Sequence, residues 1–112
     1  MIKETSFEDF LKLDLRIGTI IEVREFPKAR NPAYQLSVDF GDLGIKKSSA
    51  QITELYTKEE LLNKKVTAIV NFKPRQIANF MSECLILGIY NKEGKVVLLQ
   101  TVNSIKNGEQ IR

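Results

Sequence analysis

The chain has 112 residues, 17 basic and 14 acidic side chains for a formal net charge of +3, no histidine and one cysteine. A domain of this length buries roughly two thirds of the surface its unfolded form exposes and needs no covalent staple. One cysteine forbids an internal disulfide, and without histidine there is no imidazole-bearing zinc or copper centre and no histidine-based triad, so neither metal nor cofactor is expected. No apolar run approaches the roughly 18 residues of a membrane span and no secretory leader opens the sequence, so the expected setting is the reducing cytoplasm without membrane insertion. The charge is uneven: residues 1–25 hold four cations and six anions, net −2, and residues 26–112 hold thirteen and eight, net +5.

Ser6 precedes Phe7, Phe10 and Leu11, which fall at i, i+3 and i+4, and Asp9 lies three residues after Ser6. This is the pattern of a short N-capped amphipathic helix over Ser6–Lys12, whose apolar face must dock on the domain itself or on a partner. Leu15, Ile17, Thr19, Ile21 and Val23 alternate with their neighbours as in a half-buried strand, and Gly18 within it suggests a bend or bulge of the kind that lets one strand serve two sheets. Phe26 to Pro32 contains two prolines and reads as a loop displaying Lys28 and Arg30. Tyr34 to Phe40 and Ile45 to Ala50 form a predicted hairpin around Gly41–Gly44.

Thr57 with Glu60 three residues later is a capping box, which starts a predicted helix over Thr57–Asn63. Strand four is expected over Lys65–Phe72, strand five over Cys84–Tyr90, and an extension strand over Lys95–Thr101, with a last turn at Asn107-Gly108. Three strands, a short helix and two more strands is the order of an OB fold. The fold class read here is therefore mainly β: a single domain over residues 1–112, a five-stranded Greek-key barrel with a short N-terminal helix, a short helix between strands 3 and 4, and a C-terminal extension strand.

Between strands four and five the chain becomes basic and aromatic. From Leu61 to Ser82 there are four cations and no acid, with Phe72 and Phe80 interleaved. Pro74 lacks an N–H and ends any ladder, which presents Lys73 and Arg75 at a strand end. Cations beside exposed rings suit phosphates and unstacked bases, and the same rings with Ile77 and Met81 suit apolar peptide side chains. Phe72 continues the face of Val66, Ala68 and Val70 and is read as core, whereas Phe80 is read as lining a groove. Ser82 and Glu83 read equally as ligand contacts or as partners of backbone donors. Cys84 reads as a small core hydrophobe.

Asp14-Leu15-Arg16-Ile17-Gly18, Phe26-Pro27-x-Ala29, Asp39-Phe40-Gly41, Asn71-Phe72-Lys73-Pro74-Arg75, and Ser82-Glu83 with Leu85 and Leu87 resemble, in order and spacing, the tRNA-binding domain family of OB-fold modules. Gln51, Phe26 and Cys84-Leu85 depart from the usual residues of the tRNA-binding branch and resemble the CsaA-type branch, described as export-related chaperones. The resemblance implies no enzyme activity. It implies a homodimer built on the terminal additions, with Phe7, Phe10, Leu11, Ile105 and Ile111 at the interface. The RNA- or peptide-binding residues it and the loop chemistry suggest are Arg30, Asn71, Lys73, Arg75, Gln76, Phe80 and Ser82. The implied partners are tRNA, unfolded or pre-secretory polypeptides and the export machinery. The alternative it leaves open is a free-standing, structure-specific tRNA-binding module.

Overall fold

The computed structural model describes residues 1–112. Its elements are α1 (Phe7–Leu11), β1 (Leu15–Glu25), β2 (Tyr34–Asp39), β3 (Ile45–Ala50), α2 (Lys58–Leu61), β4 (Lys65–Ile69), β5 (Arg75–Ile77), β6 (Phe80–Ser82), β7 (Leu85–Ile86), β8 (Gly88–Tyr90), β9 (Val96–Leu98) and β10 (Gln110–Ile111). The long strand β1 organises them. Its first half pairs with β4, from Leu15↔Ile69 to Thr19↔Lys65, and its second half pairs with β2, from Thr19↔Asp39 to Glu25↔Tyr34.

Two local features let β1 turn from one partner to the other. The register with β2 shifts between Ile20 and Glu22, so Ile21 is the extra residue of a bulge, which increases the local twist. Gly18 is not that bulge. A Cβ there would sit 2.7 Å from the Phe40 ring and from Val38, so glycine is needed for close packing over the core. The sheet order is β3-β2-β1-β4-β7, and the chain at residues 82–84 returns beside β3, where the Glu83 N–H donates to the Lys47 carbonyl at 2.7 Å. The result is a nearly closed five-stranded barrel.

Ile20, Leu36, Val38, Phe40 and Val66 fill the barrel, and Leu61 of α2 enters from the open end with no exposed surface. The Thr57 capping box forms as expected: its hydroxyl accepts from the Glu60 N–H and the Glu60 carboxylate accepts from the Thr57 N–H. That shell of hydrogen bonds holds the Glu60 carboxyl below its usual range. The N-cap of α1 likewise forms, with Ser6 accepting from the Asp9 N–H at 3.1 Å.

The C-terminal segment closes the side of β1 that β2 leaves free. Leu15 pairs with Ile111 and Arg16 with Gln110. The Lys65 ammonium donates to the Ile105 carbonyl and to Asn107 Oδ1, which also accepts from the Thr19 hydroxyl at 2.7 Å. Gly108, at φ 90°, is required because a Cβ there would lie 2.5 Å from the Phe40 carbonyl oxygen.

Five expectations change in the second half of the chain. Strand four ends at Ile69 rather than Phe72, because Asn71 turns to the N-terminal segment and Pro74 cannot donate to a ladder. Phe72 therefore leaves the core face and is 47% exposed. The loop between the barrel strands is not irregular throughout but contains the hairpin β5–β6, turned at Ala78-Asn79 with Ala78 at φ 52°. Strand five is two strands: β7 pairs with β4, while β8 peels away to pair with β9. The extension strand expected over Lys95–Thr101 is the shorter β9, and β10 is a separate strand at the end of the chain.

Candidate binding groove

A groove of about 840 Å³ lies where the barrel closure gives way, between β3, the β5–β6 hairpin, the β1–β2 loop and the start of β8. Its floor is apolar, with Ala50, Ile52, Cys84, Ile86 and Val96, and its rim carries Arg30, Lys73 and Arg75. All three cations are exposed. The one acid in the lining, Glu83, accepts from the Lys47 N–H at 2.8 Å, which ties its carboxylate to the barrel wall. Two aromatic rings complete the wall: Phe72, and Tyr90 at 76% exposed.

Each part of the rim has a local cause. Arg30 stands in the loop whose two prolines prevent strand pairing, and that loop is anchored by Phe26, which is 5% exposed. Phe26 meets Phe80 at a ring-centroid distance of 5.5 Å and an interplanar angle of 60°, a tilted pair that joins this loop to the hairpin. On the hairpin, Arg75, Ile77, Phe80 and Ser82 share one face, with cross-strand pairs Arg75↔Ser82 and Ile77↔Phe80. That face turns toward the barrel, and Gln76 and Met81 turn outward, both exposed. Cys84 lies beneath, where burial pushes its thiol pKa up to about 11, so the floor is uncharged at neutral pH.

Of the seven binding residues suggested by sequence, the groove brings together Arg30, Lys73, Arg75 and Ser82. It does not include Asn71, Gln76 or Phe80. The Asn71 amide donates to the Lys12 carbonyl at 2.8 Å and accepts from the Asp14 N–H at 2.9 Å, so it fastens the end of β4 to the segment after α1. Phe80 supports the wall through Phe26 instead of lining it. The Ser82 hydroxyl accepts from the Ser49 N–H at 3.1 Å and contacts the Cys84 carbonyl at 3.4 Å, and Glu83 satisfies Lys47. Ser82 and Glu83 thus serve backbone donors of β3 and also line the groove.

Sequence reasoning misses Phe72, Tyr90 and the end of β3 at Gln51-Ile52. A signal for Tyr90 is present: Ile86, Gly88 and Tyr90 keep the period of two, which points the ring to the same side as Ile86. The residues expected at a dimer interface lie as follows. Phe7 and Leu11 are 68% and 57% exposed, Phe10 meets Phe7 at a ring-centroid distance of 6.0 Å, Ile111 pairs with Leu15 of β1, and the Ile105 carbonyl accepts from Lys65 of β4.

The fold and the groove define an OB-type binding barrel with a basic rim. A family model described as "Putative tRNA binding domain" matches residues 15–110, and the chain belongs to that tRNA-binding domain family. It is similar in structure to the chaperone CsaA from Bacillus anthracis strain Ames, with 50% identity and a TM-score of 0.93 over 98% of this chain and 100% of that one. It is similar too to the CsaA chaperone protein from Picrophilus torridus, at 49% identity and a TM-score of 0.91, covering 97% and 100%. Among curated relatives, the methionine–tRNA ligase of Thermococcus onnurineus is 34% identical over 99% of this chain. The chain spans 15% of that ligase's length. No helix is long and apolar enough to cross a membrane.

Proposed function

We propose that the chain is a CsaA-like holding chaperone whose groove takes extended apolar segments of unfolded or pre-secretory polypeptides, and that the same basic rim binds tRNA. The observation that carries the reading is the composition of the groove: an apolar floor large enough for several side chains, bounded by three cations with one acid that is already tied to the wall. Such a site holds a chain by burial and retains it by charge at the rim. The likeness over full length to two CsaA chaperones supports it. A cytoplasmic setting and association with the export machinery belong to the same proposal.

The protein acts as a homodimer in this proposal. Phe7 and Leu11 on α1 and the side chains of Ile89, Val97 and Leu99 are exposed apolar groups that a second copy would cover. Mass measured in solution checks this. A dimer that Phe7→Asp converts to monomer is expected, and a monomer at micromolar concentration refutes it.

A second reading, an RNA-binding module alone, is favoured by one observation: Phe72 and Tyr90 stand exposed beside Lys73 and Arg75, as base-stacking rings beside phosphate-binding cations would. Binding of tRNA and of a reduced, unfolded polypeptide to one preparation, each competed against the other, separates the two. Mutual displacement is expected. Binding of tRNA with no protection of any unfolded client would leave only the RNA module.

A further inference from the structure

The seam of the barrel is closed by side chains rather than by a ladder. Along β3, Phe40 and Gly44 bond across the hairpin, so Val38↔Lys46, Leu36↔Ser48 and Tyr34↔Ala50 are the pairs bonded to β2, and Lys47 and Ser49 turn their main chain to the other side. There the Lys47 N–H is met by the Glu83 carboxylate and the Ser49 N–H by the Ser82 hydroxyl. The row then stops. No hydrogen bond engages the Ser49 carbonyl or the Gln51 N–H, and both residues line the groove. On the opposite wall the Leu87 N–H bonds Thr67, which places Ile86 at a position whose main chain points away from β4 into the same gap.

We infer that an extended polypeptide binds here by adding a strand to the free edge of β3, donating an N–H to the Ser49 carbonyl and accepting from the Gln51 N–H. A C=O and an N–H two residues apart on one edge are the pair that an added antiparallel or parallel strand uses. Alternate side chains of the guest would fall on Ile52 and Ile86, and the cations Arg30, Lys73 and Arg75 favour acidic residues flanking the segment. This mode reads backbone and leaves side-chain demands loose, which suits a protein that must accept many sequences. It rests on the proposed polypeptide-holding function and specifies how that groove holds its guest.

The test uses the full chain and a fluorescein-labelled peptide of alternating Val and Thr flanked by Asp. N-methylation of its central residues should weaken binding at least about tenfold, whereas N-methylation of its terminal residues should change it less than about twofold, since each removes a main-chain donor. Gln51→Pro, which deletes one N–H after a residue already extended, should weaken the parent peptide about fivefold and tRNA less, whereas Gln51→Ala, which keeps that N–H, should weaken the peptide less than about twofold. Hydrogen exchange at the Gln51 amide should slow when peptide is bound. Peptide that binds with equal affinity whether methylated centrally or terminally overturns strand addition alone. A parent peptide that does not bind overturns the holding function along with it, and equal loss of tRNA and peptide in Gln51→Pro shows that the edge is not a strand-pairing site.

Discussion

The strands β1 to β4 and the stretch from Asn71 to Tyr90 use similar residues to opposite ends. In the first region Ile20, Val38 and Phe40 have no exposed surface, and β4 is buried at four of its five positions. In the second, no residue of β5, β6 or β8 is buried, and Phe72 and Tyr90 face solvent. Aliphatic and aromatic side chains that would stabilise a core instead form the walls of a groove, held by a few long-range hydrogen bonds. On the proposed function, the difference separates stability from binding: substitutions in the first region should act on unfolding, and those in the second on ligands. From the core outward, the effect on stability should fall and the effect on binding should grow.

Phe40→Ala should have the largest effect. The ring is fully buried, packs over Gly18 and leaves a cavity bounded by β1 and β2, so a loss of roughly 3–5 kcal/mol is expected. Denaturant unfolding measures it. The remaining folded fraction should bind tRNA as the parent does, and an unchanged midpoint would mean that the barrel core is not where stability lies.

Cys84 is the residue at which the two regions meet, and it gives a pH signature. Its thiol titrates near 9 when free but near 11 in the fold, chiefly because of burial. Below pH 9 the thiol is protonated in both states and the contribution is complete. Above it the unfolded chain loses a proton that the folded chain retains, so stability falls as pH rises toward 11, by about 2–3 kcal/mol. Unfolding free energy followed from pH 8 to pH 11 should show this decline, and Cys84→Ala should flatten it. A parallel decline in the alanine variant would assign it to other groups.

Asn71→Ala should cost about 1–2 kcal/mol through the two hydrogen bonds it makes to Lys12 and Asp14. It should also loosen α1 and hence the proposed dimer, which sedimentation at graded concentration would show as a raised dissociation constant. A variant with an unchanged dissociation constant would separate α1 from the interface.

The two regions also differ in how far the sequence discloses them. In β2 the alternation of Leu36, Val38 and Phe40 is enforced by a buried face, and a register slip would expose all of it, so pattern and structure agree. In β1 it holds only at Leu15 and Ile17: Thr19 is half-buried, Ile20 takes the core position, and Ile21, expected on the inner face, is the exposed residue of the bulge. The caps at Thr57 and Ser6 are local chemistry and are legible for that reason. The hairpin β5–β6 has no such signal. Its turn places Ala78, not glycine, at φ 52°, its strands are three residues long, and neither face is buried. Phe72 reads as core because the period of β4 continues, in the sequence, past the point where Asn71 breaks the strand. Phe80 reads as a groove residue because no rule of sequence reveals that Phe26, more than fifty residues earlier, is its partner. The cations Arg30, Lys73 and Arg75 are legible by their chemistry, and only the fold shows that they share one rim.

Lys73→Ala with Arg75→Ala stands at the opposite extreme from Phe40. Both side chains are exposed and neither forms an ion pair, so the change in unfolding free energy should stay within about 0.5 kcal/mol. Binding should respond instead. If both cations hold phosphates, the slope of log tRNA affinity against log salt should flatten by roughly 0.7 to 0.9 for each cation removed, whichever tRNA is used, because cations on the phosphates position a nucleic acid without reading its sequence. The peptide should respond in another way. Its apolar segment is held by the groove floor, which the double variant leaves intact, so peptide affinity at high salt should match the parent and only the low-salt gain from acidic flanks should disappear. Titrations at four salt concentrations distinguish these outcomes. Unchanged tRNA affinity and slope would place the phosphate-binding surface elsewhere on the barrel, whereas equal loss of peptide at every salt concentration would mean that the two cations shape the groove and do more than charge its rim.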